Sequence, residues 1–206
     1  MIIVGAGGHS REIFDIIHKK NKIYVFEEFK TEAYLKWGDN VIFIRSDDEI
    51  KKVFYLSSEF IIGVGDPVLR ARFFKKFTSL GGEPRSVVSA SSFISEINVQ
   101  LGVGLNIMAF VFISNNVTIG AGSLLNTGCR IHHDSTIGNF CQISPNVTIT
   151  GNCTVGDNCS IGTSATILPN IAIGNNVVIG AGSVVTKNVK DNQVVMGVPA
   201  KSKKGN

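Results

Sequence analysis

A six-residue period runs without interruption through residues 101–190, and it constrains the fold more than any other feature of the chain. Divided into sixes, this stretch reads LGVGLN IMAFVF ISNNVT IGAGSL LNTGCR IHHDST IGNFCQ ISPNVT ITGNCT VGDNCS IGTSAT ILPNIA IGNNVV IGAGSV VTKNVK. All fifteen hexads begin with Leu, Ile or Val. A fixed short period of this kind is typical of a parallel β-helix, in which three hexads form one triangular coil. A β-sandwich would not keep one register over so many residues.

The hexad positions also predict which side chains face the interior. First and fifth side chains should point inward and stack from coil to coil, each stabilised by roughly 25 cal/mol per Å² of buried apolar surface. All four cysteines (Cys129, Cys141, Cys153 and Cys159) occupy the fifth position. We therefore predict that they are packing residues and not nucleophiles. The second position is often Gly, and we expect it to supply the corner conformation that other residues resist.

Residues 1–85 follow a different rhythm, in which short apolar strands alternate with glycine turns and charged helices. MIIVGAGG precedes REIFDIIHKK and KIYVFEE, and EFIIGVGD precedes PVLRARFFKKF. The first helix carries Ile13, Ile16 and Ile17 on one face. This pattern predicts a small Rossmann-like parallel sheet over residues 1–85, followed by the β-helix and a C-terminal tail over residues 86–206.

Composition and motif content exclude several classes of function. The chain is 44% hydrophobic and 17% charged with a net charge of +4, and it carries no zinc-finger or helix-turn-helix pattern that would indicate nucleic acid. The cysteines form no CxxC pair and no zinc spacing with His, so no metal is expected. No apolar run approaches the roughly 20 residues of a membrane helix, and the first residues do not resemble a signal peptide. We expect a cytoplasmic protein without stable membrane insertion.

One hexad, IHHDST at residues 131–136, holds two of the four histidines and an adjacent acid. With Ile131 directed inward, His132, His133 and Asp134 point outward. An acid beside an imidazole can orient the ring and select the tautomer that acts as a general base. A solvated or interface-packing role is the alternative for an outward histidine.

A glycine loop and an acidic pair predict a ligand site in the first half. GAGGHS, between a strand and a helix, offers backbone N–H groups and a helix N-terminus to a phosphate. The sixth residue is Ser10 and not Gly or Ala, which makes NAD binding the weaker alternative. Glu27 and Glu28 follow the second strand, at the sheet edge where ligands of open α/β sheets bind. Simple solvation of the glutamates, and helix capping by His9, are the alternatives.

Together these features resemble the hexapeptide-repeat nucleotide-sugar acetyltransferases. The segment IIVGAGGHSREIFDII joined to hexapeptide repeats is similar to the UDP-4-amino-sugar N-acetyltransferases of bacillosamine synthesis. It is also similar to enzymes for dTDP- and GDP-linked 4-amino-4,6-dideoxy sugars and to sialic acid O-acetyltransferases. The resemblance covers nearly the whole chain. It implies a left-handed β-helix, a homotrimer, and acetyl-CoA as co-substrate.

The resemblance also implies roles for individual residues. H-D-S-T-I-G matches the catalytic His-acid step of the family, which makes His133 the general base and Asp134 its partner, and leaves His132 as a solvent or interface contact. Gln142 stands where some relatives carry a second His, and it cannot take up a proton at neutral pH. The implied binding residues are Gly7, Gly8, His9, Glu27, Glu28 and Lys30 for the nucleotide, with Gly65 and Asp66 as weaker candidates; Asn126 for the substrate or base; and Gln142, Gly151, Thr163, Gly180 and Ala181 for acetyl-CoA, with an N–H near Gly151 as oxyanion donor.

The reaction implied is transfer of acetyl from acetyl-CoA to the 4-amino group of a nucleotide-linked 4-amino-4,6-dideoxy sugar in bacterial surface glycan biosynthesis. O-acetylation of sialic acid on the same scaffold is one alternative. A non-catalytic nucleotide-sugar-binding trimer is the other. Consumption of acetyl-CoA separates both enzymes from the binding protein, and the choice of acceptor separates the enzymes from each other.

Overall fold

The computed structural model describes residues 1–17, 22–28, 37 and 40–202. The chain forms two compact units, Met1–Val87 and Val88–Asn206. The elements of the first unit are, in chain order, β1 (Ile2–Val4), α1 (Gly8–Ile17), β2 (Ile23–Phe26), β3 (Val41–Ile44), α2 (Asp47–Phe54), β4 (Glu59–Ile62), α3 (Pro67–Ser79) and β5 (Glu83–Pro84). None of the helices found among these residues is long and apolar enough to cross a membrane.

The first unit is a five-stranded parallel sheet of order β3-β2-β1-β4-β5 with apolar clusters on both faces. One cluster joins Ile2 of β1 to helices α2 and α3. The other joins Ile3 of β1 to Ile13, Ile16 and Ile17 of α1, which confirms the predicted apolar face of that helix. Successive strand residues point to opposite faces, so neighbouring isoleucines serve different helices.

Between β8 and β22 the β-helix is built from two-residue strands that recur every six residues. From Val87 onward the strands are β6 (Val87–Val88), β7 (Phe93–Ile94), β8 (Gln100–Leu101), β9 (Asn106–Ile107), β10 (Phe112–Ile113), β11 (Thr118–Ile119), β12 (Leu124–Leu125), β13 (Arg130–Ile131), β14 (Thr136–Ile137), β15 (Gln142–Ile143), β16 (Thr148–Ile149), β17 (Thr154–Val155), β18 (Ser160–Ile161), β19 (Thr166–Ile167), β20 (Ala172–Ile173), β21 (Val178–Ile179), β22 (Val184–Val185), β23 (Val194–Met196) and β24 (Lys201–Ser202). Pairing extends back to β6, before the repeat that the sequence displays.

Strands of equal phase pair into three faces. The first face has the order β22-β19-β16-β13-β10-β7, the second β20-β17-β14-β11-β8, and the third β24-β23-β21-β18-β15-β12-β9-β6. Ile131 pairs with Ile113 in the coil before it and with Ile149 in the coil after it, so three hexads make one coil, as predicted. We call the turn that follows each face the first, second and third corner. For example, residues 132–134 form a first corner, residues 138–140 a second corner, and residues 126–128 a third corner.

The interior of the β-helix holds the side chains that the hexad pattern places there. Every fifth-position residue from Leu105 to Val189 is at most 7% exposed. First-position residues are buried from Ile107 onward, and Leu101 of the first hexad is 41% exposed. All four cysteines are free and buried. Burial raises the pKa of the Cys129 thiol to about 12, which keeps it protonated and unreactive.

The corner conformation belongs to the fourth hexad position, and the expectation that second-position glycines supply it is wrong. Left-handed φ angles occur at Asn116 (53°), Asp134 (59°) and Asn152 (59°), residue types that tolerate this region. Second-position glycines meet a different need, close approach of neighbouring coils. A Cβ added at Gly120 would lie 2.5 Å from the carbonyl carbon of Gly138.

Candidate active site

His133 and Asp134 lie together on the first corner, directly after β13. Nδ1 of His133 is 2.8 Å from Oδ2 of Asp134. The two side chains are 59% and 51% exposed, so a ligand can reach both. The hydrogen bond with His133, followed by one from Asn116, lowers the pKa of Asp134 below its usual range. The ionised carboxylate accepts a hydrogen bond from Nδ1–H, which keeps the proton on Nδ1 and leaves Nε2 of His133 as the basic nitrogen.

Two asparagines on the first corner, in the two coils that precede this pair, extend its hydrogen bonding. Nδ2 of Asn98 donates to Oδ1 of Asn116 over 3.0 Å. Nδ2 of Asn116 in turn donates to Oδ1 of Asp134 over 3.0 Å. Each oxygen of the carboxylate therefore has its own partner. The sequence-based prediction did not include Asn116, although its fourth-position place one coil before Asp134 was visible in the repeat.

Gly151 lies against the imidazole of His133, on the same corner one coil later. A Cβ added at this glycine would lie 2.6 Å from Nε2 and 2.5 Å from Cε1 of His133. No larger residue fits while the ring keeps this position. The contact joins two residues that the family resemblance assigned to the same reaction.

The backbone N–H of Gly151 differs from its counterparts at the second corner. There, for example, the N–H of Asn139 donates to Oδ1 of Asp157 in the next coil over 2.7 Å. The residue one coil after Gly151 is Pro169, whose side chain offers no acceptor. Across the described part of the chain, no protein acceptor receives the Gly151 N–H. An open N–H beside a base is suited to a developing oxyanion.

The remaining residues predicted at the coenzyme and the acceptor lie on or beside the third corner. They are Asn126, Gln142, Thr163, Gly180 and Ala181. Thr163 and Ala181 occupy equivalent positions one coil apart, and both are exposed. Oδ1 of Asn126 accepts the N–H of Thr127 over 2.8 Å. The fold thus places the predicted base, His133, on one corner of the chain and this set on another.

In the first unit, three of the residues predicted to bind a nucleotide line one pocket of about 150 Å³: Gly7, Glu27 and Glu28. Arg72 and Phe73 of α3 contribute further lining, and Arg72 forms an ion pair with Glu28. The guanidinium carbon of Arg72 is 4.6 Å from the centroid of the Phe73 ring. The pocket lies where the strand order reverses about β1, the usual ligand position in open α/β sheets.

The other predicted residues of this unit lie outside that pocket lining. They are Gly8, His9, Gly65 and Asp66. Asp66 caps α3, because its Oδ1 accepts the N–H of Leu69 over 2.9 Å. This contact gives Asp66 a structural role without a ligand. Lys30 lies outside the described residues.

His9 lies in the first turn of α1 in a mostly buried position. Its side chain is 12% exposed, with Nδ1 3.4 Å from Oε2 of Glu12. Burial, and after it the charge of Arg70, lower the pKa of His9 to about 3, so the imidazole is neutral at physiological pH. The next residue, Ser10, donates to the carbonyl oxygen of Gly63 over 2.9 Å and so ties the helix to the end of β4.

Comparison with known proteins matches both units. Residues 1–77 match the PglD N-terminal domain, and residues 134–168 and 152–187 match the bacterial transferase hexapeptide repeat. No curated protein matches the chain. Among solved structures, PerB from Caulobacter crescentus in complex with CoA and GDP-perosamine is 26% identical with a TM-score of 0.86, over 98% of this chain and 96% of that one. A variant of the same organism's perosamine N-acetyltransferase is 27% identical with a TM-score of 0.90, over 99% and 96%.

Two further structures share the fold. The acetyltransferase domain of PglB from Neisseria gonorrhoeae, in complex with acetyl coenzyme A, is 22% identical with a TM-score of 0.87, over 98% of both chains. WeeI from Acinetobacter baumannii is 21% identical with a TM-score of 0.84, again over 98% of both chains. The matches confirm the predicted resemblance and the predicted fold class, a Rossmann-like domain followed by a left-handed parallel β-helix.

Proposed function

Because the chain joins a PglD-type N-terminal domain to the β-helix of a hexapeptide acyltransferase, we propose that it is a nucleotide-sugar N-acetyltransferase. It transfers acetyl from acetyl-CoA to the 4-amino group of a nucleotide-linked 4-amino-4,6-dideoxy sugar. The observation that carries the proposal is the His133–Asp134 pair beside the open N–H of Gly151. The relatives bound to CoA and GDP-perosamine support the two substrate classes.

The proposed reaction is direct attack of the sugar amine on the thioester. The amine nitrogen forms a bond to the carbonyl carbon, and Nε2 of His133 takes the proton that the nitrogen loses. Collapse of the tetrahedral intermediate breaks the carbon–sulfur bond, and the leaving thiolate receives that proton. Asp134 accepts the hydrogen bond from Nδ1–H throughout and stabilises the imidazolium between the two transfers.

The N–H of Gly151 serves the second requirement of the reaction, stabilisation of the oxyanion. Charge develops on the carbonyl oxygen as the amine attacks, and a preorganised backbone donor stabilises it without rearrangement. Removal of one donor of this kind costs about 10²–10³ in kcat in other enzymes. The contact between Gly151 and the His133 ring supports a shared role, since both groups then face one reacting carbonyl.

In this proposal, residues 1–85 bind the nucleotide. The Gly7 loop and the N-terminus of α1 suit phosphates, and the pocket with Glu27, Glu28 and Phe73 suits a nucleoside. Hydroxyl groups of a ribose match the carboxylates that follow β2. Residues 86–206 carry out acetyl transfer.

The distribution of residues over two corners supports a homotrimer with its active sites between copies. His133 and Gly151 lie on the first corner, and Thr163, Gly180 and Ala181 lie on the third. Small residues at the third corner permit close approach of a pantetheine chain. Cyclic assembly would bring the first corner of one copy to the third corner of the next. We place the enzyme in the cytoplasm, in a pathway of bacterial surface glycan biosynthesis, where its four free cysteines stay reduced.

The test is release of free thiol from acetyl-CoA in the presence of a panel of acceptors. The panel holds UDP-, dTDP- and GDP-linked 4-amino-4,6-dideoxy sugars, free sialic acid and CMP-sialic acid. We expect turnover with one of the amino sugars, and loss of that turnover in His133→Ala. The matched control is His132→Ala, which should retain it.

Each contrary outcome identifies a different error. Thiol release with a sialic acid alone would replace N-acetylation by O-acetylation. A His133→Ala protein with the full rate would remove His133 as the base. Absence of turnover across the panel would contradict the proposed acceptor class and favour a binding role.

A further inference from the structure

We propose that Asn116 is a positioning residue for catalysis, which holds the Asp134 carboxylate in the orientation that keeps the Nδ1 proton on His133. The inference rests on the proposed role of His133 as base. Asn116 acts through Asp134, because its amide contacts the carboxylate and not the imidazole. It belongs to the coil before the catalytic pair.

The exposure of the pair explains why such a residue is needed. The side chains of His133 and Asp134 are 59% and 51% exposed, so packing alone does not fix them. A carboxylate on a corner can rotate about its last side-chain bond and turn both oxygens away from the imidazole. The bond from Nδ2 of Asn116 to Oδ1, 3.0 Å long, removes that freedom and leaves Oδ2 facing Nδ1 of His133.

The orientation of the Asn116 amide is itself fixed by Asn98, one coil earlier on the same corner. Nδ2 of Asn98 donates to Oδ1 of Asn116, so the NH₂ group of Asn116 faces Asp134. A reversed amide would direct an oxygen at the carboxylate and repel it. Asn98 therefore donates to Asn116 and Asn116 donates to Asp134, whose carboxylate also accepts from Nδ1 of the catalytic base, His133.

The same corner shows that Asp134 departs from the pattern around it. One coil later the fourth-position ladder resumes, with Nδ2 of Asn152 donating to Oδ1 of Asn170 over 2.6 Å. An asparagine at position 134 could donate onward to Asn152, whereas an ionised carboxylate has no proton to donate. The second oxygen of Asp134, Oδ2, instead accepts a hydrogen bond from Nδ1 of His133. The row of hydrogen bonds between fourth-position side chains is therefore interrupted at Asp134, where the carboxylate bonds to His133.

The test compares Asn116→Gly with a matched control, Asn176→Gly. Asn176 also has a left-handed φ, 55° against 53° for Asn116, which glycine accepts. Its Nδ2 donates to Oδ1 of Asn192 over 3.1 Å, so the control loses this side-chain bond between coils, whereas Asn116→Gly loses two, to Asn98 and to Asp134. It lies on the second corner, away from His133. Both variants should melt at similar temperatures.

The first measurement is the pair of imidazole ¹⁵N chemical shifts of His133, assigned by their loss in His133→Ala and recorded without substrate. Wild type and Asn176→Gly should show protonated Nδ1 and unprotonated Nε2, whereas Asn116→Gly should show a mixture of tautomers. The second measurement is kcat, which should fall about tenfold in Asn116→Gly with KM unchanged, because a mobile base spends less time aligned.

Two results would overturn the inference. One is a folded Asn116→Gly protein with the wild-type tautomer and wild-type kcat. The other is a loss of kcat in Asn176→Gly as large as that in Asn116→Gly, which would show that loss of any side-chain bond between coils has the same effect. The tautomer is measured without any acceptor, so its outcome is independent of the thiol-release test of the proposed function.

Discussion

At the scale of single residues, the Asp134 carboxylate determines which nitrogen of His133 carries the proton. In Asp134→Asn, the amide can still accept from Asn116 through its oxygen, and its NH₂ then faces Nδ1 of His133. The imidazole proton moves to Nε2, which can no longer act as a base. We expect kcat to fall about 100-fold or more with little change in KM. Steady-state kinetics against Asp157→Asn, an isosteric change at the second corner, check this. A drop of equal size in Asp157→Asn would contradict it.

Two glycines of the β-helix should respond differently to the same added methyl group. In Gly151→Ala, the clash is with the side chain of His133, which can swing aside, so we expect a large loss of kcat and little change in melting temperature. In Gly138→Ala, the new Cβ would lie 2.6 Å from the backbone of Gly156, which cannot move as easily. That variant should lose about 1–3 kcal/mol of stability. Thermal melting and thiol release on both proteins measure the contrast, and a strongly destabilised Gly151→Ala would contradict it.

At the scale of elements, the repeat predicted the buried positions because burial alternates with a fixed period whatever the details of the turns. The corners were less predictable. Sequence alone does not separate a glycine needed for a left-handed φ from one needed for close approach, and Gly120 proved to be the second kind. Contacts between coils such as Asn116–Asp134 depend on a spacing of three hexads, which a search for adjacent catalytic residues does not examine. Glu27 and Glu28 of the pocket in the first unit were visible in the sequence because they follow a predicted strand, but Arg72 lies on a helix that carries no motif.

His9, in the first turn of helix α1, should make the stability of the first unit dependent on pH. The pKa of His9 is about 3 in the folded chain and about 6.5 when unfolded, so between these values the unfolded chain binds more protons. The free energy of unfolding therefore decreases as pH falls below about 6.5, by up to about 1.4 kcal/mol per pH unit. His9→Gln, which does not titrate, should show a shallower decrease. Urea unfolding of both proteins at a series of pH values measures this, and equal slopes would be evidence against it.

At the scale of the whole molecule, residues on two corners predict that inactive variants complement each other. His133→Ala removes the base from the first corner, and Ala181→Trp blocks the third, so each protein alone should be inactive. Mixed assemblies form some sites from an intact first corner and an intact third corner. Random mixing should restore about one quarter of the wild-type activity. Co-expression with two affinity tags, followed by thiol release, measures the recovery. A mixture that stays inactive would indicate that one chain holds the complete site.

The coil period turns chain length into an angular coordinate. His133 and Ala181 are separated by two complete coils and two further hexads, which is why they lie on different corners. Insertion of a single hexad between them would rotate every later corner by a third of a turn and bring Ala181 onto the same edge as His133. Insertion of a whole coil would lengthen the prism and leave its angular order intact. Changes of length in this segment are therefore quantised, and working enzymes of this design should differ there by multiples of three hexads.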